Sequence, residues 1–246
     1  MSERFKDHFS GHANAYAAAR PTYPPAMFDW LASVAPTRSV AWDAGTGSGQ
    51  AAVELGERFA SVIATDASEQ QVAHAQPHEH VRYRVARAEA SGLEAGSVDL
   101  ATAAQAVHWF DLGAYWAEVR RVLRPGGVVA VWCYGWHRVT PEIDALSVAF
   151  RRRIDPWWPP ERAMVENGYA DVVFPFNELA MPPFAMTCHW QLRDVLAYLR
   201  TWSAVKRYEA DTGEDPVVAI EQPMREAWGD RMRDVTWPLS ARIGRV

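Results

Sequence analysis

Val40-Ala41-Trp42-Asp43-Ala44-Gly45-Thr46-Gly47-Ser48-Gly49 decides the fold of this 246-residue chain. An apolar run leads into a glycine-rich turn, and a helix-forming stretch follows it. That order is a nucleotide-binding strand–loop–helix. Glycine lets the backbone take positive φ and lets a ligand approach with no Cβ in the way. The spacing narrows the ligand. A dinucleotide fingerprint requires Gly-x-Gly-x-x-Gly, whereas here the third glycine falls one residue early, at Gly49, and residue 50 is Gln.

Two carboxylates narrow it further. Asp43, two places before Gly45, would repel a pyrophosphate. Its charge suits a ligand with an ammonium or other positive group, as S-adenosylmethionine has. Ser61-Val62-Ile63-Ala64-Thr65 reads as the next strand, with Asp66 at its end. In a βαβ unit a carboxylate about 20 residues beyond the glycine turn reaches a ribose cis-diol, to which it makes strong charge-assisted hydrogen bonds. A glycine turn alone also fits a tight bend without a ligand; loop, carboxylate and spacing together point to a cofactor.

Working outward, strands are predicted at 39–43, 61–65, 81–86, 97–104 and 127–134, alternating with helices at 49–59, 68–75 and 113–123. Pro125-Gly126-Gly127 reads as the stop of the last helix and the opening of the next strand. The strands read as apolar on both faces, as in a parallel sheet between helix layers. Before them, a segment ending Arg20-Pro21-Thr22-Tyr23-Pro24-Pro25 reads as a cap or arm, since its prolines bar a continuing helix. Met27–Val34 reads as a short helix closed by Pro36. After Tyr134 the pattern predicts helices over 142–153, 192–201 and 216–228, and a terminal strand over 234–245. The proline-rich stretch 155–183 reads as an irregular insertion or lid.

Composition excludes some classes. A net charge of −5 gives no general attraction to nucleic acid. The N-terminus has no apolar signal segment, and the apolar run near Val128–Trp136 is too short to span a bilayer. The two cysteines form no C-x-x-C pair and fit a reducing, cytoplasmic setting. His74, His78 and His80 suggest a metal cluster, but Pro77 interrupts any helix aligning the first two, so no metal site is expected. Arg151-Arg152-Arg153 reads as a solvated helix face.

The chain resembles the class I S-adenosylmethionine-dependent methyltransferases over about 38–134, and within them the small-molecule group of trans-aconitate methyltransferase-like proteins. The resemblance rests on Tyr16-x-x-x-Arg20-Pro21-x-Tyr23-Pro24, Asp43-x-Gly45-x-Gly47-x-Gly49, Ala103-Ala104-Gln105-Ala106-x-His108-Trp109-Phe110-Asp111 and Arg121-Val122-Leu123-x-Pro125-Gly126-Gly127. It implies a Rossmann-like α/β fold, with a mixed seven-stranded sheet, helices on both faces and an antiparallel last strand. It also implies three parts: an N-terminal arm (1–35), an S-adenosylmethionine-binding core (36–135), and a C-terminal part (136–246) that completes the sheet and shapes the acceptor site.

The resemblance also distributes roles. Gly45, Thr46, Gly47 and Gly49 would lie along the methionyl part of the cofactor, Asp43 at its ammonium and Asp66 at its ribose. Ala67, Ala88 and Glu89 would meet the adenine, and Gln105, Ala106 and His108 would flank the sulfonium. Tyr16, Arg20 and Tyr23 belong to an arm that closes over the site, where Arg20 would clamp a carboxylate. Trp109 and Phe110 are candidates to face the sulfonium, with plain packing the alternative. His108 is the candidate base for a hydroxyl nucleophile; with a carboxylate acceptor it would bind or orient. Trp157, Trp158, Trp190, Trp202, Trp228 and Trp237 either pack the core or line an acceptor pocket. The function expected is methyl transfer to a small-molecule acceptor, a carboxylate being favoured. A non-catalytic cofactor-binding protein and, less well, a nicotinamide oxidoreductase remain open. The oligomeric state is unspecified.

Overall fold

The computed structural model describes residues 21–246. The chain runs through α1 (Pro25–Val34), β1 (Val40–Ala44), α2 (Gln50–Gly56), β2 (Ser61–Asp66), α3 (Glu69–Ala73), β3 (Val81–Val85), β4 (Val98–Ala104), α4 (Leu112–Val122) and β5 (Leu123–Tyr134). It continues through α5 (Pro141–Ile154), α6 (Arg162–Glu166), β6 (Asn177–Glu178), β7 (Ala185–Trp190), α7 (Leu192–Arg200), α8 (Ser203–Thr212), α9 (Val218–Trp228) and β8 (Arg233–Arg245).

The sheet order is β3-β2-β1-β4-β5-β8-β6. The first five strands pair in parallel, and β8 returns antiparallel along β5. The order reverses between β1 and β4, which opens a crevice at their carboxyl ends, the place where such sheets bind ligands. Alternation along β5 shows why the sheet needs two helix layers. Val128, Ala130, Trp132 and Tyr134 pack with Met27, Phe28 and Leu31 of α1 and with the C-terminal helices. Val129, Val131 and Cys133 pack with Tyr115, Val119 and Val122 of α4.

The expected fold is present, with local corrections. Seven strands form the continuous path of the sheet, as expected, and an eighth, β7, is added off that path where the first half of β8 runs on past β5. Pro125-Gly126-Gly127 does not precede β5 but lies inside it: the β4–β5 register shifts between Val98 and Leu100, and Gly126 takes φ +77°. The segment is a bulge, held where Arg245 donates to the Gly126 carbonyl at 2.7 Å. β3 is not apolar on both faces. It is an edge strand in which only Val81 is buried, and its two arginines suit an edge that must not pair further. The predicted insertion at 155–183 contains α6 and β6. The predicted helices at 49–59 and 68–75 are shorter, ending at Gly56 and Ala73. Among the described residues no helix is long and apolar enough to cross a membrane.

Candidate active site

The glycine loop is pinned to the end of β2. Thr46 N–H donates to the Thr65 carbonyl at 3.0 Å, and Gly47 N–H donates to Asp66 Oδ2 at 2.9 Å. Asp66 Oδ1 accepts from Ser68 N–H at 2.9 Å. Asp66 therefore shapes the loop as well as standing at the β2 tip. Two glycines divide the labour. Gly45 has φ +66°, and a Cβ there would come within 2.7 Å of the Ala106 Cβ and 2.9 Å of the Phe110 ring. The loop after β1 thus packs directly on the segment after β4. Gly47 has φ +54°, and the nearest atom a Cβ there would meet is Gln71 Oε1, at 3.9 Å. Space is left over its backbone.

Asp43 closes the bottom of this crevice. It is fully buried at the end of β1. Its Oδ1 accepts from the Thr102 hydroxyl at 2.7 Å, while Oδ2 has no hydrogen-bond partner. The Thr46 hydroxyl is near enough to act on the carboxylate but is itself left without a well-aligned bond. Burial pushes the Asp43 carboxyl up to about 6, against the opposing pull of Thr46 and Thr102. A buried carboxylate with an unused oxygen is costly unless something positive meets it. That orphaned oxygen and the open backbone at Gly47 fit the ammonium and methionyl chain of S-adenosylmethionine.

The other predicted positions are brought to the same end of the sheet. Ala88 is buried, and Glu89 accepts from Asp111 N–H at 3.0 Å, tying the loop after β3 to the start of α4. That loop is clamped again where Ser91 N–H and hydroxyl donate to Glu118. Gln105 takes φ +55°, and its side-chain amide exchanges two 3.1 Å bonds with the Tyr134 backbone. The Gln105 side chain thus extends the β4–β5 pairing by one rung. Ala67 follows Asp66 and is half-buried. Phe110 packs on Tyr115 at 4.9 Å and Trp109 on His108 at 4.9 Å. Tyr23 is buried against Trp132 and Tyr134. Tyr16 and Arg20 lie outside the described residues.

His108 sits in a short 3-10 turn, Val107–Trp109, with Nδ1 at 3.0 Å from the Tyr169 hydroxyl. Burial, with the Arg162 charge adding to it, pulls the imidazole down to about 3. His108 is therefore neutral around pH 7 and a weak proton acceptor there. Tyr169 is fully buried at φ +63°. Arg162, at the start of α6, lies over the rings of Trp158 at 4.8 Å and Trp136 at 5.0 Å. Neither Arg162 nor Tyr169 carries a mark in the sequence. They lie in the proline-rich stretch, where neither period nor motif assigns a face.

Other readings are corrected or resolved. Arg151 leaves the expected solvated face: it bonds Glu166 at 2.7 Å and lies over Trp136 at 4.5 Å. His74, His78 and His80 engage the Gln70 carbonyl, Glu57 and the Gly56 carbonyl. Trp228 and Trp237 are fully buried core, whereas Trp157 and Trp158 are half-buried at the α5–α6 connection.

Comparison with known proteins agrees with this geometry. Residues 42–131 match the methyltransferase domain family model. A protein of Dictyostelium discoideum named a putative methyltransferase is 31% identical, over 96% of this chain and 94% of its own. A solved structure from Anaeromyxobacter dehalogenans, described as a putative type II methyltransferase, is 49% identical with a TM-score of 0.87, covering 92% of this chain and 97% of that one. A Haemonchus contortus phosphoethanolamine N-methyltransferase, solved with S-adenosylhomocysteine, shares the fold at 16% identity and a TM-score of 0.51, over 99% of this chain and 60% of its own. Fold, loop geometry and full-length similarity lead to one conclusion: the chain belongs to the methyltransferase-domain family, as a class I S-adenosylmethionine-dependent methyltransferase.

Proposed function

We propose that the protein methylates a small organic acceptor, with a carboxylate as the accepting group. The observation that carries this reading is the setting of His108, whose Nδ1 is engaged by the Tyr169 hydroxyl at 3.0 Å. A hydroxyl nucleophile needs a base poised near the working pH, and the enclosure that holds His108 against Tyr169 disfavours its protonated form. A carboxylate is ionised at pH 7 without help. The resemblance to trans-aconitate methyltransferase-like proteins supports the same choice.

The chain's residues then divide the work. Asp43 and the Gly47 backbone would hold the amino-acid end of the cofactor, and Asp66 would take its ribose hydroxyls. When bound, S-adenosylmethionine supplies an electrophilic methyl on a good sulfonium leaving group. The protein's part is to fix the acceptor in line and keep water out. Orientation of this kind is worth on the order of 7–11 kcal/mol of barrier. Neutral His108, held by Tyr169, serves to orient the acceptor rather than to move a proton. Trp109 and Phe110 would add roughly 0.5–2 kcal/mol each if their faces meet positive charge. Both cysteines are free, which suits a cytoplasmic enzyme. The net charge of −5 leaves nucleic acid out of the proposal.

The test is transfer of radiolabelled methyl from S-adenosylmethionine to a panel of small carboxylic acids, each run beside its amide, amine and alcohol counterparts. Label in the acid but not in the amide supports the reading. Label in amines or alcohols and in no acid refutes it.

A further inference from the structure

We infer that Arg162, set against Trp136 and Trp158, is the acceptor-anchoring residue and takes the acid group of a small organic anion. The inference rests on the methyltransferase reading and names the residue that would select its substrate. The Arg162 side chain is 17% exposed. Its buried Nε–H has no hydrogen-bond partner and meets Glu166 only as a loose ion pair. The nearest carboxylate oxygen, Glu166 Oε1, is 3.9 Å away, and the other oxygen of Glu166 is taken by Arg151 at 2.7 Å.

Two further buried donors lie in the same cluster. The indole N–H groups of Trp136 and Trp158 also lack acceptors, and the two rings stand 5.9 Å apart, edge to face. Three donors without an acceptor, in one cluster of two aromatic rings and a cation, describe a site short of an anion. Burying a guanidinium without hydrogen bonds costs stability that packing alone does not explain. Aromatic faces hold the guanidinium plane by cation–π contact while leaving its fork of donors for a planar, two-oxygen group. A carboxylate matches that fork bidentately.

Position ties the cluster to the chemistry. α6, which begins at Arg162, packs against the Val107–Trp109 turn that carries His108, and His108 is bonded in turn to Tyr169, three residues beyond that helix. The turn holding His108 follows β4, so the cluster stands at the carboxyl end of β4, one of the two strands that flank the crevice. Arg151 is a built-in contrast. It lies over the same Trp136 ring but is ion-paired to Glu166.

The test uses the full-length protein saturated with S-adenosylhomocysteine and nitrogen-15 spectra of the arginine Nε–H and indole N–H groups. Benzoate and succinate are the probes, with benzamide and succinamide as neutral controls. The acids should shift the Arg162 Nε–H and the Trp136 and Trp158 indole signals saturably, and the amides should not. Arg162→Met should weaken binding of the acids about 30-fold or more, the loss typical of truncating one side of a buried charge pair. Arg162→Lys should retain part of the affinity, and Arg151→Gln should change it little. Arg162→Met should bind S-adenosylhomocysteine like wild type and melt close to it, since the ring contacts and loose Glu166 pair it loses are offset by relief of a desolvated charge without hydrogen bonds. Signals unmoved by either acid in protein that binds S-adenosylhomocysteine would overturn the inference. So would Arg162→Met and Arg162→Lys that both melt several degrees lower, which marks a purely structural arginine. Failure of wild type to bind S-adenosylhomocysteine would instead strike the methyltransferase reading beneath it.

Discussion

Replacing Asp43 by asparagine should make the ligand-free protein more stable and its cofactor binding weaker, opposite signs from one atom. The folded carboxyl titrates near 6 against a reference of 3.8, with burial the main cause. Because the folded pKa is the higher one, the folded state binds this proton more readily than the unfolded state. Stability is therefore lost as pH rises from 3.8 to 6, and the loss is complete above that. At 1.36 kcal/mol per pKa unit, ionised Asp43 costs about 3 kcal/mol at pH 7. The asparagine side chain of Asp43→Asn would keep an oxygen for the Thr102 hydroxyl and would place an amide where Oδ2 has no partner. We expect about 1–3 kcal/mol of added stability at pH 7, at roughly 2–4 °C of melting temperature per kcal/mol for a chain of this size. Calorimetric affinity for S-adenosylmethionine should fall about 10- to 150-fold, the range for one hydrogen bond to a charged group. Wild-type affinity should itself fall about tenfold between pH 7 and pH 5 as Asp43 protonates, and the variant should show no such slope. A variant that melts lower and binds the cofactor as tightly as wild type would refute this reasoning.

Other substitutions separate shape from chemistry. Gly45→Ala should fold poorly, since its Cβ would overlap Ala106 and Phe110; Gly47→Ala, facing open space at φ +54°, should cost only about 1–2 kcal/mol in urea titrations while sharply weakening cofactor affinity in calorimetry. Asp66→Ala should weaken binding of both S-adenosylmethionine and S-adenosylhomocysteine, which share the ribose, and unchanged affinities in calorimetry would remove Asp66 from the site. The folded His108 pKa lies near 3, below its reference of 6.5, so the unfolded state binds that proton first and stability falls as pH drops from 6.5 toward 3. His137, held near 4 by burial, acts in the same direction, and Asp43 opposes them. His108→Asn should therefore lose about 2 kcal/mol less than wild type between pH 7 and pH 5 in urea titrations; equal losses would show that His108 is not the half-buried neutral group described.

The sequence carried the fold where local pattern and backbone chemistry agreed. Glycines at 45 and 47, the apolar strands around them and the carboxylates closing β1 and β2 have roles set within a few residues, and those are legible without coordinates. The bulge at Pro125-Gly126-Gly127 reads as a boundary in the sequence because Pro and Gly punctuate chains in both settings. Only the Arg245 contact from the far end of the chain distinguishes the two. β7 has no local signal because Ala185–Trp190 owes its pairing to β8, some 50 residues away. The acceptor side was the least legible. Arg162, Tyr169, Trp136 and Trp158 come from separate loops and helices, and their meeting is a property of packing rather than of any motif. Gln105 shows the opposite limit: its position follows from the motif, but its amide is engaged with the Tyr134 backbone.

Methyl transfer to a carboxylate, as proposed, is open to one direct measurement. Purified protein would be incubated with methyl-tritiated S-adenosylmethionine and a panel of small organic acids, and the products treated with alkali. Transfer to a carboxylate would give a methyl ester, so the expected result is label that alkali releases as volatile methanol. Label that resists alkali, or no transfer to any acid by protein that binds the cofactor, would contradict it.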